Sequence, residues 1–208
     1  MGLTPKNYDK ITLERILMQP TKHHITKSGH NIFIYDDVIP YAYRNQFLHF
    51  LLHSSYHVGG KDNGDIDIKS RHLHSTWTDE ELNKSLFLQI PQLQPILHEH
   101  LTGQKVAKTR VNLCSFSDYN NFHLDEFFGK TLLYYPLHEW DLRWGGLTLF
   151  GDEQLRNLEF AVDYVPGRLC IFDGNIPHMV QAPTVMAPGY RYTFAIQFVP
   201  EAARASTE

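Results

Sequence analysis

Apolar and polar positions alternate in short runs through the second half of the chain, from about residue 105 onward. The runs are rich in β-branched and aromatic residues, and turn sequences such as Gly151-Asp152 and Pro166-Gly167 separate them. This pattern predicts strands near Val106 and over residues 110–116, 131–135, 146–150, 168–172 and 190–199. Several short strands joined by regular turns favour a β sandwich or barrel over a parallel sheet built from βαβ units.

The first 104 residues have a different pattern, in which apolar positions recur at helical spacing. The spacing predicts helices over residues 8–18, 41–54 and 91–101, and a strand over 31–36. A further helix is predicted after Thr78, because Glu81 follows three positions later, which is the spacing of a capping box. Helices thus precede the strand-rich half and would cover one face of its main sheet.

The composition is consistent with one mainly β domain of the α+β class. The chain has 208 residues, of which 42% are apolar and 13% aromatic, so it can bury a sizeable core. With no internal repeat or linker, we expect a single domain over 1–208. In it, residues 1–104 would support a core over 105–200. The glycine-rich, polar segment 56–77 is a candidate lid over a functional site.

Charge and targeting signals narrow the partners and the compartment. A formal charge of −4 provides no general basic surface, so nucleic acid is not an evident partner. No apolar run approaches the ~20 residues that span a bilayer, and the N-terminus lacks the pattern of a signal peptide. Cys114 and Cys170 lie in apolar segments, which is typical of free buried thiols. We therefore expect a cytoplasmic protein without a membrane partner, and its oligomeric state is left open.

The strongest chemical signal is His123-Leu124-Asp125. In an extended segment, side chains two positions apart point to the same side, so the imidazole and the carboxylate can reach one metal ion. His178 lies 55 residues later, directly after a Gly-Asn-Ile-Pro turn that can direct it inward. Two histidines and one carboxylate form the facial triad that holds non-haem Fe(II) and leaves coordination positions open.

Two other histidine pairs have similar spacing among the 13 histidines of the chain. His98 and His100 fall in a predicted helix, where side chains two positions apart diverge, so a metal site is not expected there. His72 and His74 fall in a predicted strand and are candidates for lining a cavity. The remaining histidines lie in polar or helical surroundings and need no special explanation.

Six ordered motifs over about 105–200 resemble the catalytic core of the Fe(II)- and 2-oxoglutarate-dependent oxygenases, in the prolyl-4-hydroxylase-like branch. They are His123-Leu124-Asp125, Tyr134-Tyr135, Trp140-Asp141-Leu142-Arg143-Trp144-Gly145-Gly146, Pro166-Gly167-Arg168-Leu169, His178, and Gly189-Tyr190-Arg191-Tyr192-Thr193. One departure is Leu147-Thr148, where the family more often has an acidic residue after the two glycines. The resemblance implies a double-stranded β-helix (jelly-roll) core with N-terminal supporting helices.

The resemblance also implies an iron centre formed by His123, Asp125 and His178. The implied activity is that of a dioxygenase, with Fe(II), 2-oxoglutarate as cosubstrate and O2. It would hydroxylate an unactivated C–H bond and release succinate and CO2, and ascorbate is a candidate reductant.

Three further residues are implied as contacts of 2-oxoglutarate. Arg191 is expected to bind the distal carboxylate of the cosubstrate, because a guanidinium can form paired hydrogen bonds with a carboxylate. Thr193 lies two positions later and would face the same way. Tyr135 matches the position of the family tyrosine that contacts the same carboxylate.

Other functions are consistent with parts of the same pattern. A cupin-like metal-binding or sensing jelly roll would need the histidines but not a cationic clamp at Arg191, and in a protein-interaction jelly roll the histidines would be incidental. Trp77, Trp140, Trp144, Arg110 and Arg143 are candidates for the substrate entrance, although the two tryptophans of the Gly-Gly loop are expected to pack structurally. The substrate is left open, with a small molecule slightly favoured over a peptidyl residue.

Overall fold

The computed structural model of the protein describes residues 18–61, 69–118, 120–125 and 128–204. Strands dominate this part of the chain. They are β1 (Lys22–Ile25), β2 (Asn31–Tyr35), β3 (His57–Lys61), β4 (Lys69–Trp77), β5 (Gln104–Cys114), β6 (Lys130–Tyr134), β7 (Thr148–Gly151), β8 (Leu158–Val162), β9 (Leu169–Asp173), β10 (His178–Val180) and β11 (Arg191–Pro200). The α helices are α1 (Tyr41–Leu52), α2 (Asp79–Lys84) and α3 (Gln94–Leu101), and 3-10 turns span Phe87–Gln89, Pro91–Leu93, Leu142–Trp144 and Glu201–Arg204.

The strands form two antiparallel sheets. The major sheet has the order β1-β2-β9-β6-β11-β5-β4-β3, and the minor sheet has the order β10-β7-β8. Several neighbouring strands are distant in sequence, as in β2 with β9 or β11 with β5. The connections between consecutive strands therefore often pass over other strands of the fold. The fold is thus mainly β, with the sandwich arrangement of a jelly roll.

Alternate residues of the central strands point to opposite faces of the major sheet and form two separate cores. Leu132 and Tyr134 of β6 pack with the helices in one hydrophobic cluster, together with Phe194 of β11. Leu133 and Tyr135 belong to a second cluster that includes residues of the minor sheet such as Phe150 and Val162. The major sheet is therefore covered by helices on one face and by the minor sheet on the other.

The N-terminal half confirms several helix predictions with changed bounds. Helix α2 begins after Thr78, whose side chain accepts a hydrogen bond from the Glu81 N–H while the Glu81 carboxylate accepts one from the Thr78 N–H. The predicted helix over 91–101 starts with a 3-10 turn before α3, and Gly103 follows it with a φ of +75°, a conformation that glycine adopts without strain. The prediction over 8–18 lies almost wholly outside the described residues.

Other predictions from the sequence differ more from the structure. The segment 56–77 contributes β3 and β4 to the edge of the major sheet, and its residues 62–68 lie outside the described part, so a lid is not tested there. Strands β1 and β8 were not predicted, because they are short and carry mixed polar residues. Within the described ranges, no helix is long and apolar enough to cross a bilayer.

Candidate metal centre and its cavity

His123, Asp125 and His178 lie together at one end of a cavity between the two sheets. One potential ligand atom from each residue lies within 4.8 Å of the other two, and the His178 Nε2 to Asp125 Oδ2 distance is 3.8 Å. Two of the three residues are buried, with 8% of Asp125 and 7% of His178 exposed. Two imidazoles and one carboxylate are the donor set that suits non-haem iron, so the residues fit an Fe(II) ion.

The backbone brings the two distant histidines together. The N–H of His123 donates to the carbonyl oxygen of His178, and the N–H of His178 donates to the carbonyl oxygen of His123, each at 3.0 Å. The N–H of Asp125 donates to the carbonyl oxygen of Gly174 at 2.9 Å. A Cβ at Gly174 would lie 2.2 Å from the carbonyl oxygen of Phe128, so only glycine allows this approach.

Hydrogen bonds to the backbone also orient both imidazole rings. Nδ1 of His123 lies 3.1 Å from the carbonyl oxygen of Asn121, and Nδ1 of His178 lies 2.9 Å from that of Ile176. Since a carbonyl oxygen only accepts, these contacts assign the ring proton to Nδ1 in each case. Nε2 of both rings therefore directs a lone pair into the site, which is the form in which histidine binds a metal.

The Asp125 carboxylate is held in its ionised form despite its burial. Burial opposes ionisation and is the largest influence on this group. The positive charge of His178 in its protonated form, hydrogen bonds from Thr131 and Gln197, and the charge of protonated His123 together outweigh it, and they hold the pKa of Asp125 below its usual range. The Thr131 hydroxyl donates to Oδ2 at 2.6 Å. The carboxylate is thus available as an anionic ligand at neutral pH.

Arg191 lies deeper in the same cavity and is only 1% exposed. Its Nε donates to the carbonyl oxygen of Gly146 at 2.6 Å, and its two terminal nitrogens lie 3.0 Å from Oγ1 of Thr148 and 3.4 Å from Oγ1 of Thr193. Among the residues that the structure describes, no carboxylate forms an ion pair with it. A buried cation without a counter-charge is costly, so this position favours binding of an anion.

Thr148 connects Arg191 to Tyr135, the tyrosine that the sequence resemblance implied as a contact of the cosubstrate. A hydrogen bond of 2.8 Å connects the hydroxyl groups of Tyr135 and Thr148, and the guanidinium carbon of Arg191 lies 5.5 Å from the centre of the Tyr135 ring. Burial raises the pKa of Tyr135, so its hydroxyl stays protonated. Thr193 lines the cavity, whereas Tyr135 lies behind Thr148 and is not among the lining residues.

The cavity that these residues line has a volume of about 150 Å³. Apolar lining from Leu124, Leu133 and Val180 alternates with the polar groups of the metal-ligand triad and of Arg191. Polar groups that converge inside a cavity partly lined by apolar side chains are a common feature of a small-molecule site. The arrangement therefore places a group of residues that could hold a metal ion and a buried guanidinium inside one pocket.

The other residues that the sequence indicated as possible site residues either line the cavity or lie away from it. His72 and Arg110 line the cavity, whereas His100 bonds the Tyr35 hydroxyl on the helical side of the sheet at 2.6 Å. Trp77 packs in the helical core with Phe47. The rings of Trp140 and Trp144 pack edge to face in the Gly-Gly loop, and Arg143 pairs with Asp141 on the surface.

Several residues at the site were missed from the sequence. Thr131 and Gln197 bond the Asp125 carboxylate, Thr148 contacts Arg191, and Lys108 lines the cavity. Alternation along β5, β6, β7 and β11 places these side chains on the cavity face, but alternation alone does not say which face is functional. The departure at Thr148 was visible in the sequence, although its contacts were not.

No family model and no curated protein sequence matches the chain. Solved structures do match. A prolyl hydroxylase from Trichoplax adhaerens, in complex with a hypoxia inducible factor oxygen degradation domain peptide fragment, has a TM-score of 0.65 at 19% identity, over 85% of this chain and 87% of that chain. A Pseudomonas putida prolyl-4-hydroxylase has a TM-score of 0.57 at 14% identity, over 83% and 94%.

A third similar structure has a different activity. The non-haem α-ketoglutarate-dependent epimerase SnoN from nogalamycin biosynthesis has a TM-score of 0.59 at 14% identity, over 81% of this chain and 77% of that chain. These similarities confirm the predicted jelly-roll fold of the 2-oxoglutarate oxygenases. At identities this low they concern the fold, and the activity has to be argued from the residues of the site.

Proposed function

We propose that the protein is an Fe(II)- and 2-oxoglutarate-dependent dioxygenase that hydroxylates an unactivated C–H bond and releases succinate and CO2. The observation that carries this proposal is the pairing of two features in one cavity. A His-Asp-His cluster lies at one end, and the buried Arg191, with no carboxylate partner among the described residues, lies at the other. A metal site and an anion site together suit a chelating 2-oxo acid.

In this proposal His123, Asp125 and His178 hold the iron. Both imidazoles are fixed through Nδ1, and Thr131 fixes the carboxylate, so the three ligands need only small rotations to meet one ion. Three protein ligands leave positions for O2 and for the two donor oxygens of 2-oxoglutarate. Iron supplies the oxidising chemistry when it is bound, and the protein supplies geometry and exclusion of water.

Arg191 is the proposed clamp for the distal carboxylate of 2-oxoglutarate. Its Nε is held by the Gly146 carbonyl and one terminal nitrogen by Thr148, which sets the plane of the guanidinium and leaves other N–H groups to donate. Thr193 can add a hydroxyl donor beside it. Tyr135 is proposed to act on the same carboxylate, either through Thr148 or after a small movement of that side chain.

The clamp also discriminates the proposal from a cupin-like metal-binding or sensing protein. A protein that binds only a metal has no use for a guanidinium buried to 1% exposure beside the metal site. A protein-interaction jelly roll would need neither the metal-ligand triad nor the clamp. Both alternatives predict that 2-oxoglutarate is not consumed.

The kind of substrate is a separate question, because the similar structures differ in it. One is a prolyl hydroxylase with a bound peptide fragment, and another is an epimerase of antibiotic biosynthesis. We favour a small molecule, since the cavity is small, with a volume of about 150 Å³. We also propose that the protein is cytoplasmic, that it forms a single domain over 1–208, and that it has no nucleic-acid partner.

The test begins with the protein under anaerobic conditions. Addition of Fe(II) and then 2-oxoglutarate should produce the visible absorption band of a chelated 2-oxo acid, with one iron per chain. Under air, with ascorbate to keep the iron reduced, slow formation of succinate should follow even without substrate. Wild-type protein that binds iron but shows neither the band nor succinate would support the cupin-like alternative.

A further inference from the structure

A tyrosine that the sequence did not indicate lies against the guanidinium of Arg191. Tyr164 follows β8, in the segment that leads to β9, and only 4% of it is exposed. The centre of its ring lies 5.3 Å from the guanidinium carbon of Arg191. Together with Tyr135, it belongs to the hydrophobic cluster that includes residues of the minor sheet. Tyr164 is thus part of the surroundings of the proposed clamp, behind the residues that line the cavity.

Two aromatic rings lie close to this guanidinium. The guanidinium carbon is 5.5 Å from the ring centre of Tyr135 and 5.3 Å from that of Tyr164, and the two ring centres are 4.9 Å apart. A cation within about 6 Å of a ring centre is attracted by the negative face of the ring, most strongly where water is excluded. Since Arg191 is only 1% exposed, both rings stabilise its buried charge.

The rings support the charge of Arg191 without neutralising it. Burial raises the pKa of Tyr135 and of Tyr164, so both phenols stay protonated and uncharged. Within the described ranges, no carboxylate forms an ion pair with Arg191. A carboxylate in the place of these rings would compete with an incoming anion for the guanidinium. Aromatic support offsets part of the cost of burial and leaves the full positive charge for a ligand.

The hydroxyl of Tyr164 is attached to the backbone beside Arg191. It donates to the carbonyl oxygen of Tyr192 at 2.9 Å and accepts from the N–H of Leu137 at 3.3 Å. Tyr192 follows Arg191 directly on β11. One rigid side chain therefore contacts the guanidinium with its ring and the strand that carries it with its hydroxyl, so both ends of the Arg191 side chain are restrained.

Tyr164 also packs against the tryptophan that supports the Gly-Gly loop. The ring centres of Tyr164 and Trp140 are 4.7 Å apart, and Nε1 of Trp140 donates to the carbonyl oxygen of Gly145 at 2.9 Å. Gly146 lies tightly between Trp140 and Arg191, since a Cβ there would be 3.1 Å from Cζ2 of the first and 3.0 Å from Cδ of the second. The carbonyl of Gly146 accepts from Arg191 Nε. The two aromatic residues therefore back both the guanidinium and the carbonyl that orients it.

We propose that Tyr164 is a positioning residue for the cosubstrate, which holds Arg191 charged and oriented for the distal carboxylate of 2-oxoglutarate. The proposal rests on the oxygenase function proposed above, because that function assigns this carboxylate to Arg191. A mobile arginine side chain loses conformational entropy when it binds a ligand, and a side chain that is already fixed avoids this cost. Tyr164 thereby strengthens recognition of the distal carboxylate and acts at the clamp end of the cavity.

The experiment compares two 2-oxo acids of equal chain length, 2-oxoglutarate and 2-oxopentanoate. Both have the same chelating end, and 2-oxopentanoate lacks the distal carboxylate. Each acid is titrated anaerobically into the protein loaded with Fe(II), and the absorption band of the chelated acid is followed. Tyr164→Leu should weaken 2-oxoglutarate binding by about two- to thirtyfold and leave 2-oxopentanoate binding unchanged. Damage to the fold or to the metal site would instead weaken both acids.

Two further variants separate the roles of the ring and of packing. Tyr164→Phe keeps the ring below the guanidinium and loses the hydroxyl, so it should weaken 2-oxoglutarate binding less than Tyr164→Leu does. Tyr134→Leu is the matched control, because Tyr134 is equally buried but belongs to the cluster on the helical face of the major sheet. It should lower the unfolding temperature and leave the ratio of the two affinities unchanged. Thermal unfolding is measured for every variant.

A second measurement needs no cosubstrate. The Nε–H resonance of Arg191, identified by its loss in Arg191→Gln, should exchange slowly with water, because this group is buried and bonded to the Gly146 carbonyl. Exchange should be faster in Tyr164→Leu than in Tyr134→Leu. Unchanged 2-oxoglutarate affinity, an equal loss for both acids, or unchanged exchange in Tyr164→Leu would overturn the proposal. If the wild type binds neither acid, the oxygenase function fails separately, and the exchange rates still decide whether Tyr164 holds the guanidinium.

Discussion

His123 and His178 are joined by two reciprocal backbone hydrogen bonds of 3.0 Å, although 55 residues separate them in sequence. This short bridge holds the ring centroids 4.4 Å apart. Two residues after His123, the N–H of Asp125 donates to the carbonyl oxygen of Gly174. The proposed metal-ligand triad is thus positioned by main-chain pairing, so its side chains would need little reorganisation to bind an ion.

Removal of either histidine should abolish metal binding. His178→Ala or His123→Ala leaves two ligands, so we expect loss of stoichiometric Fe(II) and of all succinate formation. Metal affinity of the wild type should also fall as the pH is lowered, because protons compete for the imidazole nitrogens. Equilibrium dialysis with iron analysis measures both effects. His49→Ala, on the exposed side of α1, is the control, and full iron content in His178→Ala would refute the assignment.

Arg191→Ala should impair the use of 2-oxoglutarate and spare iron binding. Truncation of one member of a buried charge pair costs ~2–5 kcal/mol. At ~1.4 kcal/mol per tenfold, the apparent affinity should fall by roughly 30- to several-thousand-fold. The anaerobic absorption band measures this affinity, and Arg143→Ala removes a surface arginine as the control. An unchanged affinity would mean that a different cation binds the cosubstrate.

Thr148→Val tests the hydroxyl that joins Arg191 to Tyr135. Loss of these hydrogen bonds should weaken 2-oxoglutarate binding by about two- to tenfold, whereas Thr148→Ser should restore it. Iron binding should not change. Tyr135→Phe should have a smaller effect, since its hydroxyl reaches the cavity through Thr148. A larger effect of Tyr135→Phe in the same titration would show that Tyr135 contacts the cosubstrate directly.

Thr131→Val should weaken the metal site without removing a ligand. The variant loses the 2.6 Å hydrogen bond that orients the Asp125 carboxylate and helps to hold its pKa down. Loss of such support typically lowers metal affinity by about 10–100-fold. Competition with a metal chelator measures the change, and Thr131→Ser should behave like the wild type. The control is Thr109→Val, a buried threonine of β5, and an equal loss in both valine variants would indicate a general packing effect.

His100 should make the metal-free protein less stable in acid. Burial lowers the pKa of His100, and its Nε2 bonds the Tyr35 hydroxyl. The folded state therefore binds this proton less readily than the unfolded chain. Stability should fall as the pH drops below about 6.5, where an unfolded histidine protonates, until the lowered folded pKa is passed. Unfolding temperatures between pH 7 and 5 should depend less on pH in His100→Gln than in wild type or His49→Gln, and equal slopes would contradict this role.

Local sequence signals were sufficient to predict most strands and helices and the residue types of the candidate site. Alternation predicted most strands of the second half, and the Thr78 capping box predicted the start of α2, because both signals depend on local geometry. The His-x-Asp motif, the later His178 and the basic residue at 191 indicated the chemistry. The three proposed ligands and Arg191 line one cavity of the structure, and their roles stay predictions. Short polar strands such as β1 and β8 have too weak a periodicity to be predicted.

The residues that surround the candidate ligands became known only from the packing of distant strands. Pairing of β11 with β5 and β6 brings Lys108, Gln197 and Thr131 to the candidate metal centre, and these pairings join strands far apart in sequence. The same register leaves Tyr135 behind Thr148 and brings Lys108 and Arg110 of β5 to the cavity. Such relationships depend on sheet order and on which face is buried. These are settled when distant strands pack, so no local sequence pattern specifies them.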